Sequence, residues 1–209
     1  MEQRTSNRGL MEIIAHEAIV LTPYRDLKDI WTIGVGHTKM AGGIDPVKFK
    51  GQLTLAGAVH IFRTDLVKYE RRVQQAFTRP LKQHEFDAAV SFDFNTGAID
   101  RATWVETFNA GNRALAIEQI MNWQKPPQII ARRKKEQQLF AHGHYNASGN
   151  AMLYPASKLG SVLWNEGKKV SLAGLLKIEP HMRQNPQEPL PPNLWQRLLA
   201  WLKRILCAV

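Results

Sequence analysis

Hydrophobic residues recur at spacings of three and four along most of this chain, a pattern typical of amphipathic α-helices. Leu10, Ile13 and Ile14 follow three good capping residues and predict a first helix. Glu17 falls near the C-terminal end of that helix, on or beside its buried face. The first candidate acid is therefore placed where a helix gives way to the next element.

A much longer helix is predicted after Thr54, because apolar residues keep helical spacing as far as Phe77. Such a helix is long enough to join two lobes of one domain. Its charged residues, Asp65 and Glu70 among them, are expected on its solvated face. After Pro80 the pattern predicts several shorter helices with short connections, which imply a compact helical lobe.

Residues 22–38 predict a small β element instead, with a polar turn at 26–29 and a strand over about 31–36. Over 145–178 the pattern is weaker and predicts irregular or strand-like segments packed over the helical lobe. Helices therefore dominate, and the predicted fold class is α+β, mainly α.

The C-terminal part of the chain has a different pattern. Residues 179–193 are rich in proline and predict an extended linker. Residues 194–209 predict a basic amphipathic helix. It either binds an anionic membrane surface or docks on the globular domain or forms an oligomer. Its candidate membrane-binding residues are Trp195, Arg197, Trp201, Lys203 and Arg204.

Composition and charge restrict the function classes. The hydrophobic content of 44% and the charged content of 22% are those of a globular protein. The formal net charge of +10 favours a polyanionic partner. The cations are dispersed apart from 132–135, and no nucleic-acid-binding motif is present, so no nucleic acid partner is expected. The single cysteine, Cys207, excludes a disulfide framework within the chain.

The N-terminal segment begins polar and becomes amphipathic at once, without the apolar core of a signal peptide. No apolar run reaches the length of a transmembrane helix. We therefore expect a monomer synthesised in the cytoplasm, which would need a separate route to act outside it. We expect no cofactor and no metal site.

Two carboxylates and a hydroxyl are concentrated within residues 16–38. Glu17 is on the first helix, Asp26 follows nine residues later in the turn, and Thr32 lies six residues further on. Two acids in different local settings can perform acid and base chemistry at a glycosidic bond. For Glu17 alone two interpretations stay open. It is an acid paired with a nearby arginine, or it is kept protonated by burial and can donate a proton.

Three blocks of the sequence, in order, resemble the phage-type lysozymes, the muramidase family that includes many endolysins. The blocks are HE, YRD and WTIGVGHT within 16–38, FDAAVSFDFNTG at 86–97, and the residues Trp123, Arg132, Arg133, Glu136, Leu139 and Phe140. Together they span about residues 8–145 and leave 146–178 as an extension. The resemblance thus indicates a catalytic domain over 1–178.

The resemblance implies a two-lobed lysozyme-like fold, with a small β-hairpin lobe and a helical lobe joined by a long helix. The cleft between the lobes would bind peptidoglycan and hydrolyse the β-1,4 bond between N-acetylmuramic acid and N-acetylglucosamine. Glu17 would be the general acid, while Asp26 and Thr32 would hold and activate a water, with inversion at the anomeric carbon. The implied role is that of an endolysin that reaches the cell wall through a holin-type pore.

Three further residues are candidates for binding or orienting the substrate. We expect Arg132 or Arg133 beside Glu17, and at least one of the two to be a plain helix-surface cation. His37 is expected to form structural hydrogen bonds, with direct substrate contact as the alternative. Asp29 stands where the family has a turn glycine. Aspartate tolerates the left-handed backbone conformation better than most residues, so the hairpin is expected to form.

Two other functions stay open. One is a peptidoglycan-binding module that keeps the lysozyme fold without turnover, and the other is a membrane-active protein that acts mainly through 194–209. The presence of Asp26 and Thr32 beside Glu17 favours hydrolysis over both. It also favours hydrolysis over cleavage to an anhydro sugar, which would need no attacking water.

Overall fold

The computed structural model describes residues 2–176, which contain seven α-helices, short 3-10 turns and five β-strands. The helices are α1 Asn7–Ala15, α2 Leu55–Ala76, α3 Gln83–Thr96, α4 Thr103–Asn109, α5 Arg113–Gln119, α6 Ile130–His142 and α7 Ala173–Leu176. The strands are β1 Ala18–Arg25, β2 Trp31–Gly34, β3 His37–Thr38, β4 Asn150–Leu153 and β5 Lys168–Ser171. The predicted linker at 179–193 and the predicted helix at 194–209 lie outside the described residues.

Helix α1 begins as the capping pattern predicts. The Ser6 side chain accepts a hydrogen bond from the Gly9 amide at 3.0 Å. The helix is packed closely on α3, because a Cβ added to Gly9 would lie 2.3 Å from Cγ of Asp87. It ends at Ala15, so Glu17 lies just beyond the helix, immediately before β1. The candidate acid is therefore held in the short connection between a buried helix and the sheet.

The sheet has the strand order β3-β2-β1-β4-β5. Strands β1, β2 and β3 form the antiparallel element predicted for 22–38, although β1 begins earlier, at Ala18. Strand β4 pairs parallel to β1, and β5 pairs antiparallel to β4. The strand-like character predicted within 145–178 is thus confirmed. These strands pair with the edge of β1 opposite β2 and extend the sheet, and Ala151 of β4 is also buried in the core that α1 and α3 share.

The long helix α2 is confirmed, with Thr54 as its N-cap accepting from the Gly57 amide at 3.0 Å. The prediction that Asp65 and Glu70 are solvated is wrong, since their exposed fractions are 9% and 5%. The carboxylate of Glu70 accepts the Thr5 amide at 2.8 Å, so it holds the N-terminal segment against the helix. Both residues are buried because other segments cover these positions of α2, which the helical period alone does not reveal.

Aromatic side chains fill the core of the helical lobe. Trp104 is buried, and its ring packs nearly edge-on to Phe92 and Phe140 at centroid distances of 5.2 Å. Trp104 is therefore a core residue and not a platform for a ligand. The fold is α+β and mainly α, as predicted.

None of the helices among residues 2–176 is long and apolar enough to cross a lipid bilayer.

Candidate active site

Glu17 is held by an arginine from the helical lobe. Its side chain keeps 28% of its surface exposed, and Oε1 accepts a hydrogen bond from Nη1 of Arg132 at 2.7 Å. The Glu17 amide donates to the Ile14 carbonyl at 3.0 Å, which fixes the backbone after α1. One side of the carboxylate is thus bound to α6 while part of it stays accessible to a ligand.

Arg132 is itself buried, with 9% of its side chain exposed, and is fixed by a network between α3 and α6. Its Nε donates to Glu136 Oε1 at 3.0 Å, and Ser91 Oγ donates to the same oxygen at 2.6 Å. Burial alone would lower the pKa of Arg132, but the carboxylates of Glu136 and Glu17 outweigh it and raise that pKa. The guanidinium therefore stays charged and rigidly oriented beside Glu17.

Arg133 has a different function in the same network. It is fully buried, donates from Nε to the Trp123 carbonyl at 2.9 Å and from Nη2 to Asn95 Oδ1 at 2.7 Å, and pairs with Glu136. The expectation that one arginine would stand beside Glu17 is confirmed for Arg132. The expectation that one would be a surface cation is wrong, because partners on α3 and α6 compensate the burial of both charges.

Asp26 organises the turn between β1 and β2. Its Oδ1 accepts the amides of Lys28 and Ile30, both at 2.8 Å. Asp29 has a φ of 60°, so the left-handed conformation expected at this position is present. Arg25 and Asp29 form a surface ion pair at 2.7 Å. The turn is thus defined by hydrogen bonds to one oxygen of Asp26, and the carboxylate is held in a fixed direction.

Thr32 is buried and lies opposite Tyr24 in the β1–β2 pairing. Its hydroxyl donates to the Ile30 carbonyl at 3.0 Å. The structure therefore places Thr32 next to the turn that carries Asp26. It does not place Thr32 on the wall of the cavity described next.

Glu17 and Asp26 line one cavity of about 530 Å³. The sequence predicted both acids, but it did not predict two other parts of the lining. Tyr24 contributes from β1, in the register that its pairing with β2 sets. The second part comes from the extension, which supplies Met152, Tyr154, Val162 and Trp164.

Both carboxylates act on the phenol of Tyr24. Burial, followed by the charges of Glu17 and Asp26, raises the pKa of Tyr24 to about 12. The hydroxyl therefore stays protonated at neutral pH. It is a neutral polar group in the field of two acids, and its position between them in the chain is the one sign of it in the sequence.

His16, the neighbour of Glu17, also lines the cavity. Burial is the main cause that lowers its pKa from 6.5 to about 4, and Arg132, Lys135 and Arg133 lower it further. The imidazole is therefore neutral at neutral pH and adds no positive charge to the site.

His37 is not positioned to contact a ligand. It is buried, and Nδ1 lies 2.8 Å from Asp65 Oδ2 while Nε2 lies 2.8 Å from the Ile44 carbonyl. Both ring nitrogens are thus used within the protein, which agrees with the structural alternative and not with substrate binding. Across residues 2–176, no group of three or more His, Cys, Asp or Glu side chains is arranged to hold a metal ion.

The two lobes, the long helix and the acidic cavity define a lysozyme-like domain. A family model described as phage lysozyme matches residues 14–136. The endolysin of Salmonella phage P22 is 30% identical over 141 residues, covering 65% of this chain and 96% of that protein. The chain belongs to the phage lysozyme family. As a member of it, it is a lysozyme-type peptidoglycan hydrolase.

Solved structures agree with this assignment. An endolysin from Escherichia coli O157:H7 phage FAHEc1 superposes with a TM-score of 0.63 and 29% identity, covering 70% of this chain and 98% of that one. The muramidase domain of SpmX from Asticaccaulis excentricus superposes with a TM-score of 0.58 and 26% identity, covering 66% of this chain and 98% of that domain. In both cases nearly the whole neighbour is matched by about two thirds of this chain.

Proposed function

We propose that this protein hydrolyses the β-1,4 bond between N-acetylmuramic acid and N-acetylglucosamine in peptidoglycan, and that it acts as an endolysin in bacterial cell lysis. The observation that carries the proposal is that Glu17 and Asp26 line one cavity while a buried arginine orients Glu17. Several relatives that carry the name endolysin support the biological role.

In the proposed reaction, Glu17 donates a proton to the glycosidic oxygen as the bond to the anomeric carbon breaks. A water attacks the anomeric carbon from the opposite face and gives its proton to Asp26. Backbone amides already engage Oδ1 of Asp26, so Oδ2 is the oxygen assigned to the water. Attack from the face opposite the leaving group inverts the anomeric configuration.

Thr32 acts less directly than Glu17 and Asp26 in the proposed reaction. Its hydroxyl donates to the Ile30 carbonyl, and Ile30 also donates its amide to Asp26. Thr32 can therefore stabilise the turn that aims Asp26. We propose that it assists the water through that turn, in addition to the water-holding function that the family resemblance implies.

The test of the catalytic assignment is Glu17→Gln, measured by release of new reducing ends from purified sacculi. The amide keeps the shape of the side chain and can still accept from Arg132, so the fold is expected to persist by circular dichroism. Activity is expected to fall by at least about 10³-fold, because the proton donor is lost. The matched control is Glu118→Gln, since Glu118 is exposed on α5 away from the cavity. Full activity of Glu17→Gln would reject the assignment.

The products separate hydrolysis from the alternatives. Mass analysis of the digested muropeptides gives reducing muramic acid ends after hydrolysis, anhydro ends after cleavage without water, and no new ends for a binding module. Asp26→Asn is expected to reduce hydrolysis strongly, and Thr32→Ala to reduce it less. Anhydro products from the wild-type protein would contradict the inverting mechanism.

From sequence alone, we further propose that residues 194–209 bind an anionic membrane surface and that release to the wall occurs through a holin-type pore. The residues assigned to the membrane are Trp195, Arg197, Trp201, Lys203 and Arg204. Deletion of 194–209 is expected to abolish binding to phosphatidylglycerol vesicles and to preserve cleavage of purified sacculi. Unchanged vesicle binding after the deletion would reject the membrane function.

A further inference from the structure

The extension after residue 145 builds one wall of the cavity that holds the two acids. Strand β4 runs parallel to β1, with Met152 opposite Ala18, directly after Glu17. The Tyr154 amide continues this pairing by donating to the Ile19 carbonyl at 2.9 Å. Backbone hydrogen bonds thus fix the start of the wall next to the candidate acid.

The segment that follows, 155–163, is fixed at its far end as well. The Arg25 amide donates to the Gly160 carbonyl at 2.8 Å. Gly160 has a φ of +87°, and a Cβ there would lie 2.9 Å from the Trp31 ring, so only glycine allows this close approach. The Leu163 amide closes the segment by donating to the Pro155 carbonyl at 2.9 Å. The position of Trp164 is therefore defined by contacts with β1 and β2.

Trp164 and Tyr154 form an aromatic pair on this wall. Their ring centroids are 5.0 Å apart with an interplanar angle of 64°. The backbone of Gly167 packs closely against the Tyr154 ring, because a Cβ on Gly167 would lie 2.4 Å from Cε1 of Tyr154. Trp164 lines the cavity and yet is 60% exposed, so a large apolar face of its indole is open to a ligand.

We propose that Trp164, supported by Tyr154, forms a saccharide subsite for the glycan strand whose bond is cut at Glu17. A pyranose ring presents C–H groups on its face and hydroxyls at its edge, so its face packs on an aromatic ring while its edge stays solvated. The subsite rests on the proposed function. It extends the cleft with residues beyond 14–136, the part that the family model matches.

The test compares Trp164→Ala and Trp164→Phe on glycan strands that an amidase has freed of stem peptides. Trp164→Ala is expected to raise KM about tenfold and to leave kcat within about twofold, because a binding contact remote from the reacting bond is lost. Trp164→Phe keeps an aromatic face and is expected to recover most of the change. The control is Leu159→Ala, which removes an 84% exposed side chain of the same extension that does not line the cavity.

A second measurement does not depend on turnover or on the folding of the alanine variant. In the Glu17→Gln protein, peptide-free strands are expected to change the tryptophan fluorescence, and adding Trp164→Phe is expected to remove that change while strands still bind by calorimetry. An identical fluorescence change with and without Trp164 would overturn the subsite.

Three other results would also overturn it. They are an unchanged KM in Trp164→Ala, a fall in kcat alone, and an effect seen only with strands that keep their stem peptides. The last result would assign the wall to the peptide and not to the sugar. If the wild-type protein cleaves no peptidoglycan, the proposed function fails. The subsite is then decided separately by the fluorescence change on strand binding in Glu17→Gln, with and without Trp164→Phe.

Discussion

Arg132 donates a hydrogen bond to Glu17, from Nη1 to Oε1 at 2.7 Å, although 115 residues separate them in the chain. The same guanidinium binds Glu136 on its own helix and the Ser91 carbonyl on α3. The contact joins the end of α1 to the helical lobe. The hydrogen bond from Arg132 therefore fixes the direction of the Glu17 carboxylate.

Arg132→Ala is expected to lower the free energy of unfolding by about 3 kcal/mol, because Glu136 loses a buried partner. Arg132→Lys keeps a charge but not the planar set of donors. It is expected to unfold nearly as the wild type does in urea and to lose at least about tenfold in kcat, with KM little changed. Lys134→Ala, an exposed position on the same helix, is the control. Wild-type kcat in Arg132→Lys would show that the arginine is only structural.

The lowered pKa of His16 predicts a pH-dependent stability. The folded protein holds the neutral imidazole down to about pH 4, whereas the unfolded chain binds a proton near pH 6.5. The unfolded state thus carries more protons in this window, and stability falls as the pH falls from 6.5 towards 4. His16→Asn removes this pH dependence of stability. Between pH 7 and pH 4, the free energy of unfolding of the mutant is expected to fall by about 2 kcal/mol less than that of the wild type, with allowance for solvent screening.

Urea unfolding at a series of pH values measures the His16 effect. His60→Asn provides the matched control, since His60 is exposed on α2. Parallel stability curves for the wild type and His16→Asn would contradict the prediction.

The backbone at Asp29 predicts a difference between two small substitutions. At a φ of 60° an alanine is strained, so Asp29→Ala is expected to destabilise the protein by about 1 kcal/mol. Asp29→Gly has no such strain, and its stability is expected to equal or exceed that of the wild type. The exposed ion pair with Arg25 is lost in both variants, so it cancels in the comparison. Thermal unfolding distinguishes them, and equal melting temperatures would argue against strain at this turn.

The pair between His37 and Asp65 ties β3 to the long helix. Asp65→Ala is expected to lower the free energy of unfolding by about 3 kcal/mol, because the buried imidazole loses its partner. Asp65→Asn keeps an acceptor and is expected to cost about half as much. Thr64→Ala changes an exposed neighbour on α2 and serves as the control. If Asp65→Ala lowers the free energy of unfolding no more than Thr64→Ala does, the pair contributes little to stability and the prediction is wrong.

The sequence was sufficient for features that depend on local interactions. The helix starts after Ser6 and Thr54 agree with the structure, because caps act within a few residues. The left-handed conformation at Asp29 was expected because the resembling family has a turn glycine at this position. The family blocks added the two-lobed arrangement, which local periodicity alone could not give.

Tertiary structure decided which charges are buried and what forms the cavity wall. Arg133 and Glu70 have the sequence pattern of solvated helix residues, yet distant segments cover them and supply hydrogen-bond partners. Trp164 reaches the site because β4 pairs parallel to β1, more than a hundred residues away in the chain. Such pairings depend on long-range packing and hydrogen bonding. A periodic pattern reports the side of an element that is apolar, and it does not report what will cover that side.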